Sequence, residues 1–433
     1  MRVLKHLGTG LTGTVLLVLT GCGGNPLVPL TVDLIDGVGQ PLQPIAAAWR
    51  PGPPPSTSNA PWIALPVNRA SWNLPLLNST RFQVAFLCPG TGGSQFYVSL
   101  DLVRNELGSH LRVRCPRVYA SPFAPVNGSI TGASLTAGWV AAEGTSQPLT
   151  GTSYGPLNVP QGVREIGVYG TDTSGASYFG RSGPVSITSG GNVVNVSVSP
   201  VASSLTVTAT LGFNSDASLI LNSFVQLPIV SWFAANAGSS VQSVPCPVLS
   251  GGDYLQFWTE HVSSWAIWRY DPIDPAVAPG ASLNLSVPAL SLSGNQSHSS
   301  NSLPTFSNIA FSGFSPGLSF VGYAILLAEP GVRYWRHFVS PGALGTAATY
   351  YIDVENAPGF AGVVPTPGST VQLRVTAFAG SQPPAAGTPS ALLGNLLSAK
   401  PLPNETIVGH TLFLDRAWPV HLEVAPWATT FTW

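Results

Sequence analysis

Apolar residues in this chain recur at every second position, in short runs separated by glycine and proline. That period builds strands and cannot build an amphipathic helix. The run LTVDLID puts Leu30, Val32 and Leu34 on one side, and FYVSLDLV does the same with Phe96, Val98, Leu100 and Leu102. VVNVSVS (193–199), LTVTATL (205–211) and VQLRVTAF (371–378) repeat the pattern, with Thr, Ser, Asn, Gln or Arg between the apolar positions. Side chains alternate across a strand, so each run has one dry face and one wet face, as in antiparallel sandwiches. The 46 glycines and 41 prolines supply turns between many short strands. Twelve tryptophans and a hydrophobic fraction of 44% exclude a disordered chain. The expected fold class is all-β, a tandem set of antiparallel β-sandwich modules, with a single short helix near Ser390 to Ser398.

The first residues have the three parts of an export signal: basic Arg2 and Lys5, an apolar stretch from Leu7 to Leu19, and small residues before a cysteine. The apolar stretch is shorter than the roughly 20 residues of a membrane-spanning helix. Leu19-Thr20-Gly21-Cys22 resembles the lipobox of bacterial lipoproteins, in which a branched apolar residue and two small ones precede the modified cysteine. The resemblance implies a signal peptide over residues 1–21, recognised by its peptidase at Leu19, Thr20 and Gly21. It also implies lipidation of Cys22, whose diacylglycerol and acyl chains (palmitate or similar) are the only group the chain is expected to carry, with no other cofactor. Two or more acyl chains hold a protein stably at a membrane, so membrane lipid is the expected partner through the anchor. Residues 22–29, which include Gly23-Gly24-Asn25-Pro26, read as a tether. Gly23 rather than Asp follows Cys22, so the expected location is the cell envelope, at the outer membrane or cell surface.

Charged residues make up 8% of the chain, against about 25% in ordinary soluble proteins. With Arg2 and Lys5 removed from 17 basic residues, 15 remain against 18 acidic ones, a net of −3. This field offers no footprint for nucleic acid and no polybasic patch for anionic lipid. Cys88 closes the run FQVAFLC and shares a face with Phe82, Val84 and Phe86, while Cys115 closes LRVRC and shares a face with Leu111 and Val113. Both sulfurs therefore face one apolar layer. In an oxidising compartment a Cys88–Cys115 disulfide is expected, provided the Cα atoms lie within about 7 Å. Cys246 would remain an unpaired thiol. Cysteine and histidine spacing matches no zinc pattern, so no metal site is expected.

Proline-rich breaks divide the chain into a first β-sandwich module (30–118), a second (119–200) and a third (201–290). A polar linker without strand signal follows (291–304), and then a fourth module (305–433). Cys88-Pro89 leads through Gly92-Gly93 into FYVSLDLV, and Cys246-Pro247 leads through Gly251-Gly252 into YLQFW, which marks modules one and three as relatives. In module two, VNGSITG (126–132), YGPLNVPQGVREIGVYG (154–170) and PVSITSGGNVVNVSVSP (184–200) resemble the carboxypeptidase-regulatory-like, transthyretin-like sandwich family. In module four, GYAILL (322–327), RYWRHFV (333–339) and VQLRVTAFA (371–379) resemble Ig-like, fibronectin-type sandwiches. Such modules space, present or bind, and the resemblance transfers no catalytic residue.

Two strings match the Gly-x-Ser-x-Gly nucleophile pattern, around Ser153 and Ser315. A hydrolase elbow needs a helix after the serine and a backbone N–H on the next residue. Pro316 lacks that N–H, and Pro156 followed by a strand pattern replaces the helix after Ser153. The histidines, among them His261 and His337, read as surface or internally hydrogen-bonded residues. Asp271 and Asp274 bring two carboxylates to one turn but lack the further oxygen ligands of a calcium site. The most distinctive run is YLQFWTEHVSSWAIWRYDP (254–272), where Trp258, Trp265, Trp268 and Tyr270 crowd a short span. These rings either fill a sandwich core or stack on a sugar, with Glu260 and Arg269 beside them. The expected function is a membrane-anchored, non-enzymatic binding or scaffold protein whose partner is an envelope protein or glycan. A carbohydrate-binding surface protein using Trp258–Tyr270 is the alternative, and a hydrolase with an unrecognised site is the second.

Overall fold

Alternating burial follows the alternating sequence from the first strand onward: LTVDLI, residues Leu30–Ile35, buries Leu30, Val32 and Leu34 completely. The computed structural model describes residues 27, 29–37, 39–52, 60–77, 80–90, 94–107, 109–115, 118–143, 145–210, 214–221, 225–233, 239–250, 253–261, 264–270, 280–286, 288–345, 349–381 and 420–433. The signal, nearly all of the tether, and the helix expected near Ser390 lie outside them. Among the described residues no helix is long and apolar enough to cross a membrane.

Module one contains β1 (Leu30–Ile35), β2 (Ala46–Pro51), β3 (Ile63–Ala64), β4 (Ser71–Leu74), β5 (Arg81–Cys88), β6 (Gln95–Val103) and β7 (His110–Arg114). Its sheets are β4-β1-β7, with β1 and β7 parallel, and β3-β2-β5-β6. Cys88 and Cys115 form a disulfide across this core, with Cα atoms 5.9 Å apart. Module two follows with β8 (Phe123–Thr131), β9 (Leu135–Ala142), β10 (Thr145–Gly151), β11 (Ser153–Pro160), β12 (Gly162–Arg164), β13 (Ile166–Thr171), β14 (Ser177–Arg181), β15 (Val185–Ile187), β16 (Asn192–Val193), β17 (Val196–Ser197) and β18 (Ser199–Pro200). Module three has β19 (Ser204–Thr210), β20 (Asn214–Leu221), β21 (Val225–Phe233), β22 (Ser239–Pro245), β23 (Tyr254–His261), β24 (Ser264–Tyr270) and β25 (Ser282–Leu285).

These three modules share one connectivity. In each, the first strand pairs antiparallel with the fourth and parallel with a closing strand, and the second lies between the third and a later strand, the fifth in modules one and three and the sixth (β13) in module two. Module four is wired differently, from β26 (Ser291–Ser299), β27 (Ser302–Ser312), β28 (Ser319–Glu329), β29 (Arg333–Val339), α1 (Pro341–Leu344), β30 (Thr349–Tyr351), β31 (Thr370–Gly380) and β32 (Val420–Thr432). Its sheets are β26-β27-β30 and β32-β31-β28-β29, with antiparallel pairs throughout. The stretch expected as a linker over 291–304 is instead strand β26 and the start of β27. SLSGNQSHS conceals a strand because one side is exposed, and its inner side needs only Leu292 and the ring of His298. That ring stacks on Phe431 and Trp433 at 4.7 Å.

The modules are not beads on a string. β24 pairs antiparallel with β32, and β6 pairs in parallel with β29, so modules three, four and one share a continuous sheet. Its order is β21-β20-β23-β24-β32-β31-β28-β29-β6-β5-β2-β3, twelve strands with module four in the middle. Module one packs β1, β4 and β7 on one side of it, and β26, β27 and β30 pack on the other. The middle of the sheet is therefore buried on both faces, and β5 is buried at all eight positions. Module two docks through Ala141 and Tyr169 on the module three core, where a Cβ added to Gly167 would meet Leu227 Cδ1 at 2.7 Å.

Replacing both Cys88 and Cys115 with alanine opens a cross-link between residues 27 apart. The double variant should lose about 3 kcal/mol of stability in chemical denaturation under non-reducing conditions. An unchanged midpoint would contradict this.

Candidate functional site

Charged side chains are scarce in this chain, so their concentration at one seam marks it. The parallel pair β6–β29 places Ser99 opposite His337, and the antiparallel pair β5–β6 places Gln83 opposite Asp101. Strand alternation turns Arg81, Gln83, Ser99, Asp101 and His337 to the side facing module four, away from the module one core. Arg50 joins from β2, Tyr350 from β30, and Asp353 from the turn after it.

Asp101 is fully buried and is the hub. Arg81 grips it with two hydrogen bonds, one of them Nε to Oδ1 at 2.8 Å. Gln83 Nε2 donates to Asp101 Oδ2 at 2.9 Å, as does the hydroxyl of Tyr350 at 2.9 Å. Arg50 Nε donates to Gln83 Oε1 at 2.7 Å, and its Nη2 pairs with Asp353. Because the Tyr350 proton points to Asp101, His337 Nε2–H must donate to the Tyr350 oxygen, at 2.6 Å. Nδ1 of His337 then accepts from Ser99 Oγ at 2.7 Å. Burial holds this imidazole neutral, with its pKa pushed down to about 4. The two arginines and two aspartates of this network balance, Arg81 against Asp101 and Arg50 against Asp353.

A second contact closes the same seam. Glu106, just after β6, accepts from the Ser340 hydroxyl and from Gly342 N–H at 2.8 Å, at the start of α1. Chemically, the cluster is a latch. Ser99 and His337 are hydrogen-bonded like a nucleophile and base, but both are buried, and a tyrosine rather than a carboxylate orients the imidazole. The cavity beside them is walled by Tyr97, Leu303, Ile325, Trp335 and Val354 and has room for about one water.

The sequence-expected residues fall elsewhere. Trp265 and Trp268 are only 5% and 7% exposed and point to opposite faces, one toward the module one side and one into the module three core. Trp268 stacks on His421 at 4.8 Å, Tyr270 meets Phe257 edge-on at 5.9 Å, and Trp258 and Tyr270 are half-buried. The four rings therefore do not form a shared stacking platform, because strand alternation separates them. Ser315 gives both its N–H and its hydroxyl to Glu423, at 2.8 and 2.5 Å, and Ser153 opens strand β11 rather than an elbow. Cys246 is half-buried, and burial pushes its thiol pKa up. Leu19, Thr20, Gly21, Cys22, Asp271 and Asp274 lie outside the described residues. Sequence reasoning missed the latch, although it left a signal: Arg81, Gln83 and Asp101 interrupt strands β5 and β6, whose other positions are mostly apolar.

No family model matches the chain, and no curated protein matches it. Similar solved structures include the fimbrial anchor protein Mfa2 from Porphyromonas gingivalis, at 8% identity and TM-score 0.17, covering 44% of this chain and 98% of that one. The Streptococcal ancillary pilin is similar at 8% identity and TM-score 0.15, covering 60% and 98%. The chicken CNTN1 FN1–FN3 domains are similar at 9% identity and TM-score 0.13, covering 82% and 90%. Superpositions this loose say nothing of function.

Asp101→Asn keeps the volume of the hub but leaves the buried Arg81 guanidinium without a counter-charge. It should cost about 3–5 kcal/mol by chemical denaturation, and a loss under 1 kcal/mol would show that the seam does not depend on this pair. His337 titrates lower in the folded chain than its usual 6.5, so the unfolded chain takes up the proton first as pH falls. Stability should be constant above about pH 6.5, fall by about 3 kcal/mol between 6.5 and 4, and lose no more from this group below that. Denaturation midpoints across that range, compared with those of His337→Gln, measure the contribution directly.

Proposed function

We propose that this protein is a lipid-anchored, non-enzymatic component of the bacterial cell envelope, a rigid scaffold that holds sandwich surfaces away from the membrane. The observation that carries the reading is the seam between modules one and four. There a continuous sheet and a buried charge network join parts of the chain more than 200 residues apart. A flexible tandem array has no use for such a joint, since independent modules with ordinary linkers move freely. Rigid seams suit a protein that keeps fixed spacing between an anchor and exposed surfaces.

Anchoring rests on Leu19-Thr20-Gly21-Cys22, which supplies the only lipid-attachment chemistry read from the chain. The non-enzymatic part is supported by the geometry of the three serine candidates: Ser99 is enclosed, Ser315 is committed to Glu423, and Ser153 lies in a strand. An envelope protein or glycan is the partner class that fits a charge-poor β protein.

Cys22→Ser should abolish incorporation of labelled palmitate, shift the intact mass to that of an unprocessed chain, and move the protein out of the membrane fraction. Retained label or unchanged processing in that variant would overturn lipid anchoring.

A further inference from the structure

A second set of polar and aromatic side chains lies on the other face of the twelve-stranded sheet, away from the latch. Across β20, β23 and β24 the register places Asp216 opposite Trp258 and Glu260 opposite Trp265. All four share one face, because Ala217, Leu255 and Phe257 between them point into the module three core. Trp258 and Trp265 instead pack with Leu422, Val424 and Phe378. Arg374 reaches this face from β31, two positions from Thr376 and four from Phe378, with its guanidinium 5.4 Å from the centre of the Trp265 ring. Residues from modules three and four thus meet at their seam.

The groups complement one another as a receptor would. Asp216, Trp258, Glu260 and Arg374 are all half-buried. Burial raises both carboxyls; at Glu260, Asp216 raises it further while Arg374 opposes the shift. Trp265 is 95% enclosed, yet among the described residues its Nε1–H has no hydrogen-bond partner, and the Nε1–H of Trp258 has none either. A buried donor without an acceptor is costly; among the described residues six indole N–H groups are in that state, and those of Trp258 and Trp265 are the two that share this face, where a ligand oxygen would satisfy them. A ligand here must present a flat apolar surface to Trp258, hydroxyl protons to the carboxylates, and oxygens to the indole and guanidinium donors. A phosphate would meet two carboxylates, and an organic cation would meet Arg374. A neutral ring bearing many hydroxyls satisfies every group.

We infer that Asp216, Trp258, Glu260 and Arg374 form a saccharide-binding site at the seam of modules three and four. Trp258 is its stacking surface, the two carboxylates receive hydroxyl protons, and Arg374 with Trp265 Nε1 donates to sugar oxygens. This site differs from a platform of Trp258, Trp265, Trp268 and Tyr270, since Trp268 and Tyr270 face the opposite side. It does not depend on lipid anchoring.

The test is a titration of the purified full chain with cellohexaose, chitohexaose, maltohexaose and xylohexaose. Binding is followed by tryptophan fluorescence and by saturation-transfer NMR. At least one sugar should bind saturably, and Trp258→Ala should weaken it by at least about tenfold. Asp216→Asn with Glu260→Gln, which preserves volume and hence packing, should do the same while the circular dichroism spectrum is unchanged. Failure of all four sugars to bind, or binding that survives both variants, would overturn the assignment.

Discussion

The carboxylate of Asp101, buried without solvent contact, is the constraint on which the architecture turns. A lone carboxylate in such a place is strongly unfavourable, and it persists only because groups from both sides of a seam converge on it. Arg81 and Gln83 come from module one, and Tyr350 comes from module four. Withdrawing Arg81 would leave the Asp101 carboxylate without a counter-charge in a low dielectric, and withdrawing Gln83 or Tyr350 would remove one of its hydrogen bonds. Module four is thereby fixed in one position on the face of the module one sheet. His337 and Ser99 extend the same chain of hydrogen bonds, and Arg50 ties it to Asp353.

The same logic recurs at smaller scale and explains how a charge-poor chain uses its ionic groups. Glu106 satisfies N–H and O–H donors at the start of α1 across the first seam. Arg181 of module two binds Asp253 of module three, which is itself fully enclosed and accepts from Ser250. Arg114 in module one donates to the carbonyls of Asp36 and Gly37. These charges sit inside, at joints and loop closures.

Edge-to-edge fusion also solves a problem that tandem sandwiches create. Each isolated four-stranded sheet would end in exposed edges with unpaired N–H and C=O groups, which invite association. Pairing β6 with β29 and β24 with β32 removes four such edges at once. Burial of both faces follows in the middle strands, and with it the need for a polar network wherever a strand carries Arg, Gln, Asp or His. The seams and the saccharide site are linked by this geometry: joining β24 to β32 is what brings Arg374 close to Trp265.

Period-two alternation by itself determined the strands, their inward residues and the all-β class, because facing is a local property of extended backbone. It placed Cys88 and Cys115 in one layer, while the echo of Cys88-Pro89 and Gly92-Gly93 in Cys246-Pro247 and Gly251-Gly252 marked modules one and three as relatives. The string Leu19-Thr20-Gly21-Cys22, which resembles a lipobox, is local too. Tertiary structure alone decided which sheets share an edge, that Ser291–Ser299 is a strand rather than a linker, and which cores Trp265 and Trp268 enter on their opposite faces. It also decided that Asp101, Tyr350 and His337 meet. The physical reason is that edge pairing and charge pairing depend on groups hundreds of residues apart, whose complementarity has no periodic trace in the sequence. A single Asp or His in an apolar strand shows that a partner is required, but not which one.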